Sequence, residues 1–471
     1  MDKNLTRLAI ALVVGAMAPL FDSTIVSVAL HTLAGDLNAS LDTIQWVSTA
    51  YLLAMGVTVP LVGWLQNRIG GRRLWMASLV VFLIGSVLCS LAWDAPSLIA
   101  FRVVQGVGAG AMMPLLTTLL MQAANGRSLG RVMAVASLPT ALGPILGPVI
   151  GGLLLGAGHW PWLFWVNVPF VVAGLILAWR FIPADGPVGT AKLDVVGLAL
   201  LSPAVVGVLF GLSNAGGDDG FAQLDAWAPL AAGVALLIAF VLWARRRKHT
   251  ALVDLRLLSH RPLAAASGLM FLLGAALYGG MLLLPLSFQD LRGTDALGAG
   301  LLLIPQGVGS LLSRSLAGRL TDRIGARTVA VLGFAVVLLA TVPFAFADGG
   351  TSVWWISAVL VVRGFGLGAV MIPIMAVGFV GLDKPDMPHA STITRLSQQL
   401  GGAFGTAVLA VVLAGAVAGG DPALAFQQAF WWAIGMTAVA ACVSMLLPGR
   451  AAPAPEPAIA ETPPRETSAA A

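Results

Sequence analysis

The chain has 471 residues, of which 58% are hydrophobic and 10% are charged, and its mean hydropathy is +0.92. Because soluble proteins carry about 25% charged residues, this composition excludes a soluble globular protein and indicates an integral membrane protein. The net charge of +5 does not indicate a nucleic-acid partner, since the basic residues stand in short clusters between apolar runs. Cys89 and Cys442 both lie in apolar runs without metal-ligand spacing, so we expect two small core residues and no metal site.

About 20 apolar residues form one helical span, and by this measure the chain has fourteen predicted transmembrane helices. They cover residues 7–32, 44–65, 74–93, 97–121, 131–157, 163–183, 193–214, 225–244, 262–285, 297–319, 328–347, 353–380, 393–415 and 426–447. The first run lacks a small-residue cleavage site before the next polar loop, so we interpret it as a span and not as a signal peptide. The proline-rich segment 448–471 predicts a disordered cytoplasmic tail.

The charges of the loops alternate along the chain. The loops on one side contain most of the basic residues: Arg68, Arg72, Arg73, Arg127, Arg131, Lys192, Arg245, Arg246, Arg247, Lys248, Arg256, Arg261, Arg323, Arg327 and Lys384. The loops on the other side contain one basic residue, Arg292, and many aspartates. By the positive-inside rule, this asymmetry predicts an even number of spans and places both termini in the cytoplasm.

The sequence also repeats itself. The segment Gly63–Arg72 is echoed by Gly318–Arg327, and each copy follows the second span of a six-span half. A second echo relates the glycines that precede Pro114 to those that precede Pro373. Two matched halves indicate a transporter that arose by duplication, whereas a channel would need a repeated filter that the sequence does not contain. We therefore expect a six-helix bundle in 1–186, two inserted helices in 187–250 and a second bundle in 251–447.

Five motifs give this pattern a family resemblance. They are the Gly63–Arg73 loop, the Arg102–Gly106 segment of the fourth span, the Gly143–Gly152 run of the fifth span, the Phe21–Leu30 segment of the first span and the Trp160–Pro169 segment before the sixth span. Together they resemble the major facilitator superfamily, and within it the fourteen-span drug:proton antiporters (EmrB/QacA-like). The resemblance covers nearly the whole chain except the tail. One departure is Asn67, where the superfamily usually has an aspartate that the second copy keeps as Asp322.

The resemblance implies an all-α integral membrane protein with the major facilitator fold, in which two six-helix bundles flank two inserted linker helices. It also implies a location in a bacterial cytoplasmic membrane and transport driven by protons. No phosphate-binding glycine loop, metal cluster or catalytic constellation is present in the sequence, so we expect neither an enzyme nor an ATP-driven pump, and no cofactor.

Asp22 and Arg102 are the predicted proton-coupling residues. Counted along their helices, Asp22 lies about 22 Å from the inner surface and Arg102 about 8 Å from the outer boundary, so their depths agree. Burial disfavours a charged carboxylate whereas a nearby arginine favours it, and a site balanced in this way can exchange a proton. The alternative is a static ion pair that braces two helices.

The repeated loops are predicted to act as cytoplasmic gates. Their candidate residues are Gly63, Asn67, Arg68, Gly70, Arg72, Arg73, Gly318, Asp322, Arg323, Gly325 and Arg327. Asp322 is expected to attract the N-terminus of a neighbouring helix and hold the inner gate shut. A plain topology signal would explain the arginines, but it explains the repeated glycines and Asp322 less well.

The fifth-span run is the predicted exporter motif, with residues Gly143, Pro144, Gly147, Pro148, Gly151 and Gly152. Its small residues and prolines favour a bent helix in tight contact with a neighbour, which would keep the cavity from leaking protons. Ordinary small-residue packing is the alternative, and the family resemblance favours the functional interpretation.

The predicted substrate cavity combines flexible and aromatic residues from both halves, a mixture that suits varied apolar molecules. The candidates are Gln45, Tyr51, Met112, Met113, Thr117, Tyr278, Gln306, Arg363, Met371 and Gln398. Arg363 has no carboxylate at a matching depth, and the sequence leaves open whether it binds backbone carbonyls or substrate. Asp194 is expected to begin the seventh span as a helix-start residue.

The sequence thus predicts a proton-coupled multidrug efflux transporter that exports small amphipathic compounds, cationic or neutral, by alternating access in the lipid bilayer. The first alternative is a dedicated exporter of a lipid or an endogenous metabolite. The second is a membrane scaffold or sensor that transports nothing. The sequence leaves open whether a periplasmic adaptor assists.

Overall fold

Helices form all the regular secondary structure in the part of the chain that the computed structural model describes. That part comprises residues 3–124, 129–138, 143, 146–147, 150–151, 153–155, 159–186, 189, 192–214, 223–247, 251–294, 296–417 and 422–448. The predicted tail lies outside it except for Pro448, as do Pro144, Pro148 and Gly152 of the exporter motif.

The helices of the first half are α1 (Lys3–Asp36), α2 (Leu41–Thr58), α3 (Val62–Ile69), α4 (Gly71–Ser90), α5 (Ala95–Ala124), α6 (Leu129–Ala136), α7 (Trp162–Trp165) and α8 (Asn167–Phe181). A 3-10 turn at Val59–Leu61 joins α2 to α3, so the two continue one another as the second span. Helix α6 begins the predicted fifth span.

Two helices follow, α9 (Val195–Asn214) and α10 (Leu224–Arg247). The second half comprises α11 (Arg261–Arg292), α12 (Ala296–Leu302), α13 (Ile304–Ile324), α14 (Ala326–Thr341), α15 (Val353–Val377), α16 (Met387–Val417) and α17 (Pro422–Ser444). Single 3-10 turns at Leu255–Ser259 and Val342–Ala345 precede α11 and follow α14.

Among the described residues, 12 helices are long and apolar enough to cross a membrane. Two of the fourteen predicted spans are not among these 12 helices, for different reasons. The span at 131–157 is only partly described, and α13 in the span at 297–319 carries charged residues that lower its hydropathy. An all-helical membrane fold is therefore confirmed, and the structure is compatible with fourteen spans.

The two halves repeat the same packing. In the first half α5 packs against α2 and α4, and in the second half α15 packs against α13 and α14. Both loops of the sequence repeat turn at a glycine with a positive φ, +95° at Gly70 and +93° at Gly325. An L side chain is strained in this region of backbone space, which explains why both copies have glycine.

The inserted helices α9 and α10 pack against each other, and α9 also contacts α2 and α16, one helix from each half. Asp194 fixes the start of α9. Its carboxylate accepts hydrogen bonds from the backbone N–H of Gly197 (2.9 Å) and Leu252 (3.1 Å) and from the indole N–H of Trp243 (3.0 Å). Asp194 is therefore a helix-start residue that also ties α10 and the following segment to α9.

Candidate functional site

Asp22 and Arg102 form an ion pair in the interior of the first half. Nη1 of Arg102 donates to Oδ2 of Asp22, and the two side chains are 1% and 0% exposed, respectively. Helices α1 and α5 bring the two residues together across 80 positions of sequence. The depth argument from the sequence had selected this pairing.

Two amides complete the surroundings of the Asp22 carboxylate. Its Oδ1 accepts from Nε2 of Gln105 at 3.0 Å and from Nδ2 of Asn167 at 2.8 Å. Both amides also donate to Oγ of Ser86, which in turn donates to the carbonyl of Phe164 at 2.9 Å. With Arg102, three side chains therefore donate hydrogen bonds to the Asp22 carboxylate.

Arg102 links this network to α2. Its Nε donates to the carbonyl of Val47 at 3.0 Å, and its guanidinium carbon lies 4.0 Å from the ring centroid of Tyr51. The Tyr51 hydroxyl donates to the carbonyl of Pro19 at 3.1 Å. Tyr51 was expected in the substrate cavity, but a ring this close to a guanidinium makes a cation–π contact that the buried charge favours. Its place is in the ion-pair network.

The glycines of the exporter motif pack beside Asp22. Gly143, Gly147 and Gly151 are buried in helical conformation, and their faces lie against α1 between Leu20 and Ile25. Oγ1 of Thr24 donates to the carbonyl of Gly143 at 3.1 Å. A Cβ atom at Gly147 would overlap the Thr24 side chain, so this close approach requires glycine there.

The end of the helices where the Gly63–Arg73 and Gly318–Arg327 loops lie is called the basic end here. At this end Asp322 joins the two halves, because its Oδ1 accepts from the backbone N–H of Gly130 at 3.0 Å. Nε of Arg131 is 3.7 Å from Oδ2 of the same carboxylate. Gly130 is in the first turn of α6, where the helix dipole favours a negative charge. A Cβ atom at Gly318 would meet the carbonyl of Gly130 at 2.8 Å, which explains the glycine.

The first-half loop makes different contacts. The backbone carbonyl of Asn67 accepts from the N–H of Gly189 at 2.7 Å. Asp185 caps α4, since its carboxylate accepts from the backbone N–H of Arg72 (2.8 Å) and Arg73 (3.1 Å). The Gly63 backbone lies against the ring of His389 in α16. The remaining arginines of the two loops are exposed, as a topology signal requires: Arg68, Arg319, Arg323 and Arg327.

A small cavity of about 40 Å³ lies between the halves. Four of the predicted substrate residues line it: Met113, Thr117, Met371 and Gln398. The other predicted residues are placed elsewhere. Gln45 is exposed near the start of α2, Met112 is buried in the core, and the Tyr278 ring lies against Gly402.

Arg363 and Gln306, also predicted for the cavity, contact each other instead. Nη1 of Arg363 donates to Oε1 of Gln306 at 2.6 Å. Its Nε donates to Oγ1 of Thr341, and its Nη2 to the carbonyl of Ala276, each at 3.3 Å. Between the two roles that the sequence left open for Arg363, the structure shows binding to neutral protein groups, one of them a backbone carbonyl.

Several site residues were not predicted. Gln105 lies in the Arg102–Gly106 motif and Asn167 in the Trp160–Pro169 motif, but the motifs alone do not indicate a role for their amides. Arg395, which lines the cavity, and Arg314, which binds the carbonyl of Ser137 in its wall, were also missed. An arginine within an apolar span was the available signal for both, and it is the signal that had identified Arg102.

Comparison with known proteins identifies the family of this chain. A sequence model of the Major Facilitator Superfamily matches residues 12–406. The chain is 36% identical over 415 residues to the multidrug resistance protein B homolog of Mycobacterium tuberculosis, covering 88% of this chain and 77% of that protein. It is 29% identical over 407 residues to the multidrug export protein EmrB of Haemophilus influenzae, covering 86% of this chain and 79% of that protein.

The fold also matches a solved structure. The crystal structure of the human organic anion transporter MFSD10 (TETRAN) superimposes with a TM-score of 0.65 and 16% sequence identity, over 94% of this chain and 100% of that one. At this identity the likeness concerns the fold alone. The family match spans most of the sequence, and the chain belongs to the Major Facilitator Superfamily.

Proposed function

We propose that this protein is a multidrug efflux transporter that exports small amphipathic compounds in exchange for protons by alternating access. The observation that carries the proposal is the Asp22 carboxylate, fully buried inside a membrane helix bundle and held by Arg102. An ionisable pair at such a position is costly and is typical of a proton or ion pathway. The relatives named for multidrug resistance and multidrug export support the substrate range.

In this mechanism, protonation of Asp22 changes the contacts among four helices, α1, α2, α5 and α8. The ionised carboxylate accepts from Arg102, Gln105 and Asn167, and a proton on it removes the charge that holds Arg102. Arg102 then shifts relative to α2, and its contacts with the Val47 carbonyl and the Tyr51 ring change. Helix α2 continues through α3 to the Gly63–Arg73 loop, so a movement of α2 that follows protonation of Asp22 is transmitted to the basic end.

Asn167 gives the protonated state an acceptor. Its Oδ1 is buried and contacts no donor in the described part of the chain, while its Nδ2 faces Asp22. A protonated Asp22 becomes a hydrogen-bond donor. Rotation of the Asn167 amide by half a turn would present Oδ1 to that proton.

In the described conformation, contacts at the basic end hold the two halves together. Asp322 holds α6 there, the Gln122 amide donates to the carbonyl of Lys384 at 3.0 Å, and Ser391 Oγ donates to the carbonyl of Pro114 at 3.0 Å. All of them join one half to the other. We place the basic end and both termini in the cytoplasm, in a bacterial cytoplasmic membrane, with bundles at 1–186 and 251–447, inserted helices at 187–250 and the tail at 448–471. The described conformation is then closed on the inside.

Proteoliposomes with an imposed pH gradient and a panel of amphipathic dyes test this function. We expect the wild-type protein to transport at least one dye against its gradient, and Asp22→Asn to abolish the proton-driven component. Asp36→Asn is the matched control, because Asp36 is exposed at the end of the same helix. Full proton-driven export by Asp22→Asn would contradict the role of Asp22. Failure of the wild-type protein to move any dye would favour the dedicated exporter or the scaffold.

A further inference from the structure

The cavity between the halves has a methionine-rich wall, and its longest run of polar residues lies on α16. Four methionines contribute to the wall: Met113, Met270, Met371 and Met375. The polar run consists of Ser391, Thr394, Arg395 and Gln398, which follow one another along α16. In this conformation the cavity has a volume of about 40 Å³, which is room for water alone, so an organic compound enters it when the two halves move apart.

Arg395 brings a positive charge into this cavity. Its Nη1 donates to Oε1 of Gln398 at 2.9 Å, which fixes the orientation of the guanidinium. Its Nε is buried and contacts no acceptor in the described part of the chain. Since a guanidinium binds a carboxylate through two parallel N–H groups, the Nε edge of Arg395 is suited to an acidic group in the cavity.

Arg314 adds a second charge directly behind the cavity wall. It is 4% exposed, and its Nη1 donates to the carbonyl of Ser137, a residue that lines the cavity. Its Nη2 is 3.3 Å from Oγ of Ser310, and its Nε contacts no acceptor among the described residues. Both contacts are to neutral groups, so the charge of Arg314 is not compensated locally.

The second half supplies no carboxylate to neutralise these charges. Arg314, Arg363 and Arg395 form no ion pair with any described residue. The sequence explains this, because Asp and Glu are absent from the membrane-embedded runs of this half: residues 261–289, 297–321, 326–347, 353–382, 387–417 and 423–447. A buried charge without a counter-charge is costly, so a bound anion would be stabilised here.

From this geometry we infer that the export site takes amphipathic organic anions, with the apolar body against the methionines and the carboxylate or sulfonate group on Arg395. The inference rests on the proposed export function and names its substrate class. It differs from the sequence-based expectation of a cationic or neutral compound. A cation at the same position would be repelled by Arg395 and by Arg314.

A set of three probes that share one dansyl ring tests the charge preference. The set comprises dansylglycine (a carboxylate), dansylamide (neutral) and a dansyl derivative with a trimethylammonium group. Equilibrium binding to the full-length protein in nanodiscs is followed by dansyl fluorescence, without any pH gradient. We expect dansylglycine to bind most tightly and the cationic probe to bind most weakly. Absent binding of dansylglycine, or tighter binding of the cation, overturns the inference.

Variants of Arg395 assign the preference to this residue. In Arg395→Gln we expect the Kd for dansylglycine to rise about tenfold or more, the scale of a charged hydrogen bond, and that for dansylamide to change less than about twofold. Arg395→Lys should recover part of the affinity for the anion, and Arg246→Gln, an exposed site at the end of α10, should have no effect. Equal weakening of all three probes in Arg395→Gln would contradict the inference. Should Arg395→Gln not fold, the charge preference of the wild-type protein decides.

Proton-driven efflux of the same probes is measured separately in proteoliposomes. If dansylglycine binds with the expected preference but no probe moves under a pH gradient, the export function fails and the anion site stands. If dyes of another charge are exported while dansylglycine neither binds nor moves, the anion site fails and the export function stands.

Discussion

The two halves of this transporter share one framework, but the charge of the buried arginine is compensated in the first half and not in the second. The offset that relates Gly63 to Gly318 also relates Tyr51 to Gln306 and Ser86 to Thr341. Gln105 precedes the glycine run of α5 as Arg363 precedes that of α15. In the first half, Tyr51 and Gln105 contact the buried Arg102, and Ser86 contacts Gln105. In the second half, Gln306 and Thr341 contact the buried Arg363.

The difference lies in the first helix of each half. Helix α1 offers the Asp22 carboxylate to Arg102, whereas α11 offers only the carbonyl of Ala276 to Arg363. In the mechanism proposed above, the neutralised pair of the first half responds to a proton, and the positive charge of the second half responds to a ligand.

Substitution of the two arginines should give the largest effect. Arg102→Gln leaves the Asp22 carboxylate buried without its cation and is expected to cost about 3–5 kcal/mol of stability. Arg363→Gln removes a charge whose contacts are neutral, so we expect a loss below about 1 kcal/mol or a gain. Thermal unfolding of the purified variants in one detergent measures the difference.

The double variant Asp22→Asn with Arg102→Gln is the control for this comparison. It removes both charges, so part of the lost stability should return. Equal destabilisation by Arg102→Gln and Arg363→Gln would show that the halves do not differ in charge compensation.

The loops at the basic end should give an intermediate effect. Asp322→Asn keeps the shape of the side chain but removes the charge from the N-terminus of α6, an interaction of about 0.3–1 kcal/mol that rises to about 2 kcal/mol when partly buried. We expect the population to move a few-fold towards the state open at the basic end. Distances between spin labels on the two halves, measured by electron paramagnetic resonance, report this shift.

The reciprocal variant Asn67→Asp restores in the first loop the charge that the second loop has. It should move the population in the opposite direction or leave it unchanged. A shift towards opening at the basic end in this variant would contradict a stabilising role for the loop aspartate.

Two loop aspartates at the opposite end should give the smallest effect, and here the halves agree. Hydrogen bonds from Ser97 lower the pKa of Asp94, and a hydrogen bond from the Thr351 hydroxyl, the largest contribution, lowers the pKa of Asp348. A lowered pKa contributes stability above the unfolded-state pKa, and this contribution is lost as the pH falls through the folded-state value. We expect Ser97→Ala to raise the pKa of Asp94 towards its ordinary value and to leave Asp348 unchanged.

Titration of carbon-13-labelled aspartate carboxyls by NMR measures both pKa values. Thr351→Val is the matched variant and should affect Asp348 alone. A change at both aspartates after a single substitution would indicate that the two loops are coupled.

The fold was largely predictable because run lengths of apolar residues and loop charges depend only on the membrane. The Asp22–Arg102 pair was predictable for a related reason, since depth along a helix follows from counting residues. The residues that line the cavity were not predictable, because the sequence of a helix that is apolar on every side does not show which face points inwards. Tyr51 shows this, as its depth was suitable but its side chain faces Arg102.

Other contacts depend on distances that the sequence does not encode. Asp185 caps α4 from a segment more than a hundred residues away from Arg72. Asn167 and Gln105 are neutral amides, and their residue types alone do not show whether they belong to a hydrogen-bond network around Asp22 or only pack in the core.

The position of α9 makes the two flanks of the transporter unequal towards the lipid. Where α2 of the first half approaches α16 of the second, α9 contacts both, and its Phe210 ring lies 5.8 Å from that of Trp46. At the other seam, α6 and α13 meet directly. A compound dissolved in the bilayer that approaches from the flank of α9 therefore meets α9 before it meets the boundary between the halves.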